Sequence, residues 1–500
     1  MNYAISVSIV LAATVGLAYA APDPGAKQAA PAFEDVTKAA GLTGVSAGRT
    51  CAWTDYNDDG WVDVQVGGKL FRNREGVFSP VSLPKGCGEG VWADIDNDGR
   101  LDIVTVQGKG AVFRNAGPDR FELLHTIGLP FSARPRVACA DANGDGRIDL
   151  FVTNYESKFG GPIYRDYLFV AQADGSLGPA TTLTDACWTA RGANWADFDN
   201  DGDQDLYVSN YRLMPNALWL NDGSGTFTDQ AKARGVYGDA TAGKERASKY
   251  YPTYEYTGHT IGSCWGDLDN DGDLDLVVVN FSHPPKWQNR VQVSLNSGPP
   301  RYTFTNRNKA AAAGVYWQES YAKGALGDYD NDGDLDLYLT TVYPRDKGDL
   351  FQNQGDGTFK AVGDTLGLRT PHSYHVAWAD YNNDGSLDLM AAGKLWRNPG
   401  FGRAWLKVRV RGGAGSNGAA IGARVKVSAG ARTQIREVSG GNSGNQNPLL
   451  LHFGLADWPV DKPVKVEVAF PSGKRSTREV TPCNTCTVDE KDALPPPAKL

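Results

Sequence analysis

Asp267-Leu268-Asp269-Asn270-Asp271-Gly272-Asp273-Leu274-Asp275 carries carboxylates at positions 1, 3, 5 and 9 and glycine at position 6. A hard cation such as Ca²⁺ takes about six to eight oxygens at roughly 2.3–2.6 Å, and alternating acids around a glycine-enabled turn supply them. The pattern occurs seven times. The other ligand sets are Asp55, Asn57, Asp59 and Asp63; Asp94, Asp96, Asp98 and Asp102; Asp141, Asn143, Asp145 and Asp149; Asp197, Asp199, Asp201 and Asp205; Asp328, Asp330, Asp332 and Asp336; and Asp380, Asn382, Asp384 and Asp388. A backbone carbonyl at position 7 is the expected further ligand. With Asn57, Asn143 and Asn382 at position 3, loops one, three and seven carry one charge less, and weaker binding is expected there. No His or Cys lies within the nonapeptides, which disfavours Zn²⁺. Mg²⁺ fits less well because it keeps more waters. The competing reading is an Asx-rich turn without an ion.

Around each loop a longer unit repeats. A short strand ends near an aromatic (Trp53, Trp92, Trp195, Trp265, Trp378) and precedes the loop. A β-rich run follows, then a segment ending in asparagine (Asn73, Asn115, Asn221, Asn353, Asn398), then a strand with phenylalanine (Phe78, Phe121, Phe227, Phe304, Phe359). Four strands per unit, with 39 to 70 residues between loops, predict an all-β fold. The expectation is a seven-bladed β-propeller over residues 33–402. The seventh unit lacks its Phe-containing strand, and Phe33–Thr37 is placed to complete it, leaving no open edge. After residue 402 the acidic loops stop. Period-two stretches such as Trp405–Val410 and Val464–Phe470 predict a small β-sandwich-like domain over 403–490 with a basic outer face.

The repeats resemble the FG-GAP/VCBS repeats of integrin α-subunit propellers and of many secreted bacterial proteins. The strings Ala420–Arg424, Arg436–Gly441, His452–Leu455 and Phe470–Gly473 resemble the ASPIC/UnbV domain. That domain typically follows such repeats in bacterial secreted proteins and in the cartilage acidic protein family. The resemblance adds little mechanism.

Met1–Ala20 reads as a secretory signal, with an apolar core at Ile9–Leu17 and a cleavage site at Ala18-Tyr19-Ala20. Residues 21–32 read as a linker and 491–500 as a disordered tail. Export, to the extracellular space or a periplasm, is therefore expected, and disulfides with it. Of the seven cysteines, Cys483 and Cys486 are near enough in sequence to bridge across a turn; the pairing of the others is open. The formal charge of −8 is concentrated in the loops, and seven Ca²⁺ would bring it to +6. No basic stripe of the kind that binds nucleic acid is present.

Strand alternation places the loops on one face and the longer insertions on the other. Those insertions span 155–167, 211–215, 282–288 and 343–348, with 237–257 between units. They are rich in aromatics, and Tyr164, Tyr211, Tyr251, Tyr254, Trp287 and Tyr343 are the candidate partner-binding residues, weighed against a packing role. The expected function is non-enzymatic: a calcium-stabilised binding or adhesion module recognising an extracellular protein or a glycan. The alternatives are a lectin and a polysaccharide-acting enzyme using His259, His283, His372 or His375. No nucleophile elbow, HExxH motif or free carboxylate pair supports the enzyme.

Overall fold

A computed structural model describes residues 31–46, 48, 50–106, 108–128, 135–157, 161–238, 257–282, 289–413, 415–442 and 444–495. The expected signal and nearly all of the linker lie outside these residues, as do Tyr251, Tyr254, Trp287 and His283. The described chain is all-β, with one single-turn α-helix at Ala231–Arg234. Seven sheets follow one another over residues 34–397, and two more span 405–489.

Each of the seven sheets opens on a buried strand: Cys51–Thr54, Gly90–Ala93, Arg136–Ala140, Ala190–Ala196, Thr260–Gly266, Tyr321–Gly327 and Val376–Ala379. The second strand begins at the ninth residue of the acidic loop, as at Asp275–Asn280 and Asp336–Thr341, and pairs antiparallel with the first. Five of the sheets have four antiparallel strands of their own. The third has three: the Gly/Ser/Pro-rich stretch after Phe169 contributes only isolated bridges, Leu168 to Thr181 and Ala171 to Leu177, so the expected fourth strand is absent there. The seventh takes its fourth strand from the N-terminal side, Glu34 opposite Arg397 and Asp35 opposite Trp396. No sheet closes on itself. The first strand of each sheet lies against that of the next, and that of the seventh lies against that of the first.

Two repeated devices join neighbouring sheets. One is aromatic. Inside its own unit Trp53 packs on Phe78 (6.1 Å between ring centroids), Trp92 on Phe121 (5.8 Å), Trp195 on Phe227 (6.0 Å), Trp265 on Phe304 (5.8 Å) and Trp378 on Phe33 (6.4 Å), and the link to the neighbouring sheet comes from a third ring. Residue two of the preceding loop adds a third ring: Tyr56 meets Trp92 and Phe121, Phe198 meets Trp265 and Phe304, and Tyr381 meets Phe78. Large rings fill this space with few rotatable bonds, and tilted or edge contacts suit their quadrupoles. The other device is the asparagine closing the third segment. Its amide nitrogen donates to the carbonyl of residue eight of its own loop and to that of residue two of the neighbouring loop. Asn296 thus ties Leu274 O (3.2 Å) to Phe198 O (3.0 Å), Asn353 ties Leu335 O to Leu268 O, and Asn73 ties Val62 O to Tyr381 O. The Asn73 bond joins the first sheet to the seventh.

In the C-terminal part, Trp405–Arg411 pairs with Leu450–Gly454 antiparallel and Asn484–Asp489 parallel. A second sheet has the order Arg432–Glu437, Arg424–Ala429, Val464–Ala469, Arg475–Val480. Val464, Val466 and Val468 point into a shared core with Leu406, Val408, Phe453 and Phe470, while Lys465 and Glu467 face outward. All seven cysteines are free thiols, so the expected Cys483–Cys486 bridge is not formed. Cys486 lies within the extended strand that Cys483 leads into. Three residues of extended chain span about 10 Å, beyond the roughly 7 Å between Cα atoms that a disulfide tolerates.

Replacing Asn296 by Ala leaves two buried carbonyls without a donor. The expected loss is about 1–3 kcal/mol of unfolding free energy, measurable by denaturant titration; an unchanged midpoint would show that the amide is not a staple.

Candidate metal loops and the unit that covers them

Each loop is folded by its own carboxylates. In all seven, Oδ1 of residue one accepts the N–H of residue five at 3.0–3.1 Å, and Oδ2 accepts the N–H of residue six at 2.7–3.3 Å. Residue six is glycine with φ between 79° and 100°, a conformation in which a Cβ is strained. Residue four sits at φ between 53° and 69° and is asparagine in five loops, Asp58 in the first and Gly144 in the third. Asparagine tolerates this left-handed conformation better than most residues. The carboxylate of residue nine braces the next strands. One oxygen accepts the N–H that follows the third strand or ends it, as Asp275 from Asn296 (2.7 Å) and Asp336 from Asn353 (2.8 Å). In five loops the other oxygen accepts the N–H of residue two.

Three acids converge to within 4.8 Å in each of four loops: Asp94, Asp96 and Asp102; Asp197, Asp199 and Asp205; Asp267, Asp269 and Asp271; Asp328, Asp330 and Asp332. These are the four loops with aspartate at position 3, and each group could hold a metal ion. In the other three the position-3 amide turns inward as a donor, Asn57 to Asp59 (2.9 Å), Asn143 to Asp145 (2.9 Å) and Asn382 to Asp384 (2.7 Å). The donor set fits a hard cation: it is all oxygen, and Asp199 Oδ1 and Asp269 Oδ1 are buried with no hydrogen-bond partner among the described residues.

Burial and then the neighbouring carboxylates push these acids up. Asp94, Asp197 and Asp267 are raised to about 7 and Asp328 to about 8. Asp275, Asp336 and Asp388 stand well above the ordinary carboxylate range for the same reason.

The loop face is covered. The C-terminal unit, whose basic side was expected to face outward, presents it to the loops. Lys407 Nζ bonds Asp380 Oδ2 (2.7 Å), Arg409 reaches Asp55 Oδ2 (2.5 Å) and Asp58, and Arg411 reaches Asp58. Arg432 pairs with Asp334 (2.5 Å), and the Gly454 N–H donates to Asp328 Oδ2 (3.0 Å). The residue-four ring is the other half of this interface. Asn97, Asn331 and Asn383 each donate to a backbone carbonyl of the next loop and accept from the C-terminal unit, from Gly418 N, His452 Nε2 and Lys407 Nζ respectively. Nothing in the metal-ligand reading marked residue four, although its recurrence as asparagine was visible.

A segment of the same unit reaches between the first strands. Asn445–Gln446 pairs in parallel with Cys51–Ala52. Gln446 both donates to and accepts from the Trp92 backbone at 2.8 Å, Asn447 Oδ1 accepts from Trp378 N (2.9 Å) and its amide donates to Leu326 O (3.3 Å), Asn442 donates to Ser263 O, and Gly440 O accepts from Cys139 N (3.3 Å). Six of the seven first strands are thereby engaged.

On the opposite side, Tyr211 is 8% exposed and Tyr155 5%. Tyr211 lies edge-on to His259 (4.6 Å) and Phe281 (6.2 Å), Phe281 meets Tyr343 (5.2 Å), and the Arg191 guanidinium sits over the Tyr155 ring (4.1 Å). Tyr211 thus packs among these rings. Tyr164 and Tyr343 are half-buried. His375 is fully buried, its Nδ1 bonded to Gly48 O and its Nε2 accepting from Gly393 N, which assigns it a structural role.

The FG-GAP-like repeat family matches residues 94–152, 141–208, 197–278, 267–339 and 328–391, and the ASPIC and UnbV family matches 413–495. Cartilage acidic protein 1 of Homo sapiens is 27% identical over 458 residues, 81% of this chain and 64% of that protein. Cartilage acidic protein 1 of Mus musculus is 27% identical over 432 residues, 77% of this chain and 62% of that protein. The chain thus spans less than two thirds of the curated relatives it matches. Among solved structures, a luciferin-regenerating enzyme aligns with 66% of this chain and 93% of its own at 11% identity and a TM-score of 0.35, a likeness that carries no argument. Among the described residues no helix is long and apolar enough to cross a membrane.

The raised carboxylates fix a pH dependence for the metal-free protein. Their folded values exceed the unfolded ones, so the folded state holds the extra protons, and stability present at pH 4 is lost as pH rises through 7 to 8. Chelated protein is expected to melt higher at pH 5 than at pH 8, and Ca²⁺ to raise the melting temperature more at pH 8. A melting temperature flat with pH in chelator would count against it.

Proposed function

We propose, from the premise that the chain belongs to the family of FG-GAP-like repeat proteins carrying an ASPIC and UnbV domain, that it is an exported, non-enzymatic binding protein stabilised by calcium. In this reading the seven sheets over 33–402 are the blades of a propeller, completed by the N-terminal strand. The unit over 403–490 is a domain built onto its acidic face. Asp94, Asp96, Asp98 and Asp102, with the corresponding residues of the other loops, would hold the ions. An ion supplies the charge neutralisation that the crowded carboxylates otherwise lack.

The observation that carries the reading is the coverage of the loop face. Its acids fold turns, brace strands and receive the cations of the C-terminal unit, so they are committed to structure rather than to chemistry on a substrate. Partner recognition is then assigned to the opposite side, where Tyr164 and Tyr343 keep part of their surface. The partner class is an extracellular protein or a glycan.

Two measurements test this. Calcium titration of the chelated protein by calorimetry, with melting curves, is expected to show several ions bound and a large rise in melting temperature, because an ion that binds only the folded state stabilises it by mass action. A curve unmoved by calcium would sink the metal assignment. On an array of glycans and matrix proteins, Tyr343→Ala is expected to weaken the strongest signal about tenfold, about 1.4 kcal/mol, with the melting temperature kept. Glycan-only signals would favour the lectin, and no loss on Tyr343→Ala would move recognition elsewhere.

A further inference from the structure

The seven loops do not present themselves to the C-terminal unit in the same way. In loops one and seven the first acid already holds a protein cation, Arg409 on Asp55 and Lys407 on Asp380. Both cations come from the strand Trp405–Arg411, two residues apart and so on one face. The Lys407 and Asp380 side chains are 4% and 2% exposed, so water screens this pair poorly. Lys407 also donates to Asn383 Oδ1 at 2.7 Å, at residue four of the same loop. These two loops are also ones whose third residue is an amide that donates to residue five.

The all-aspartate loops differ at the first acid. Asp328 takes the neutral Gly454 N–H, and Arg424, which donates to the Asp197 carbonyl at 2.6 Å, comes only to 3.9 Å from the Asp197 carboxylate. The buried Arg436 acts on Asp267 and Asp328 through its charge, while its hydrogen bonds go to Ile435 O and Gln434 Oε1. Cations do reach the acid at position three of loops two and six, Arg114 on Asp96 and Arg403 on Asp330, but from side chains 43% and 33% exposed, where solvent weakens them. Loop three has an amide at position 3 and Arg147 on Asp145, without a cation from the C-terminal unit on its first acid among the described contacts.

We propose that Lys407 and Arg409 are built-in counter-cations that replace a divalent ion at loops seven and one. An ammonium or guanidinium seated on a ligand carboxylate repels an incoming divalent ion and removes part of the charge that would attract it. While the strand Trp405–Arg411 is docked, the chain then binds five ions, at loops two to six. This rests on the cation reading of the loops given above.

The test is the calcium stoichiometry of the full chain, by native mass spectrometry and calorimetry after chelation. Wild type is expected to bind five ions, Lys407→Met six, and the double variant Lys407→Met/Arg409→Met seven. A second pair of variants keeps the test independent of how the double variant folds. Asp55→Asn and Asp380→Asn are expected to leave the count at five, whereas a fall by one for each would place ions in those loops and overturn the proposal. Seven ions on wild type would overturn it and leave the cation reading intact. No ion on any variant would overturn the cation reading, and this one with it.

Discussion

A carboxylate removed from water has to be met by donors or cations, and this chain buries one at the same place seven times. The ninth residue of each loop, from Asp63 to Asp388, is at most 1% exposed. Its bonds to backbone N–H groups fix where the second strand starts and how the third segment lies against it. That register places the closing asparagine, whose amide reaches the neighbouring loop. It also sets residue two of each loop among the rings of the next sheet. The sheets therefore meet through a fixed chain of polar bonds, with aromatic packing laid over it, and an acid that costs much to bury is what positions the rest.

Much of this was legible because it repeats. The Asp-x-Asp-x-Asp-Gly spacing, the recurring Trp and Phe, and the strand at Phe33–Thr37 each have a local cause, and the all-β architecture follows from them. The closing asparagine was visible as a pattern, but its role was not, since its second acceptor belongs to another sheet 59 to 308 residues away. Residue four of the loop was passed over because it is no metal ligand. Its positive φ and its contacts with Gly418, His452 and Lys407 arise only once two remote parts of the chain meet. The burial of Tyr211 is hidden for a related reason: an aromatic in an insertion looks exposed until Phe281 and His259 are brought against it.

The docking of the C-terminal unit was the least legible feature. Lys407, Arg409 and Arg411 alternate along one strand, which by itself describes any solvated edge. Their partners are acids of the seventh and first loops, which are adjacent in space and more than 300 residues apart in sequence. The complementarity extends beyond charge. Gly418 lies so close to Asp94 that a Cβ there would come within 1.9 Å of the carboxylate, and one on Gly454 would meet Asp328 at 2.1 Å. Backbone and side chain together leave the loop face little room for another macromolecule.

The segment at Asn442–Asn447 has a consequence for how the molecule is made. It bonds Cys51, a residue 394 positions upstream of Asn445, while the strand at Glu34–Asp35 waits for Lys394–Arg397. Contacts of such sequence separation form late and slowly, because the chain between them must be ordered first. During synthesis the early sheets leave the ribosome with their inner strands uncovered and with the partner of the first strand still untranslated. Until residues 394–447 have been made the chain is an open-ended row of sheets, and those residues join its ends.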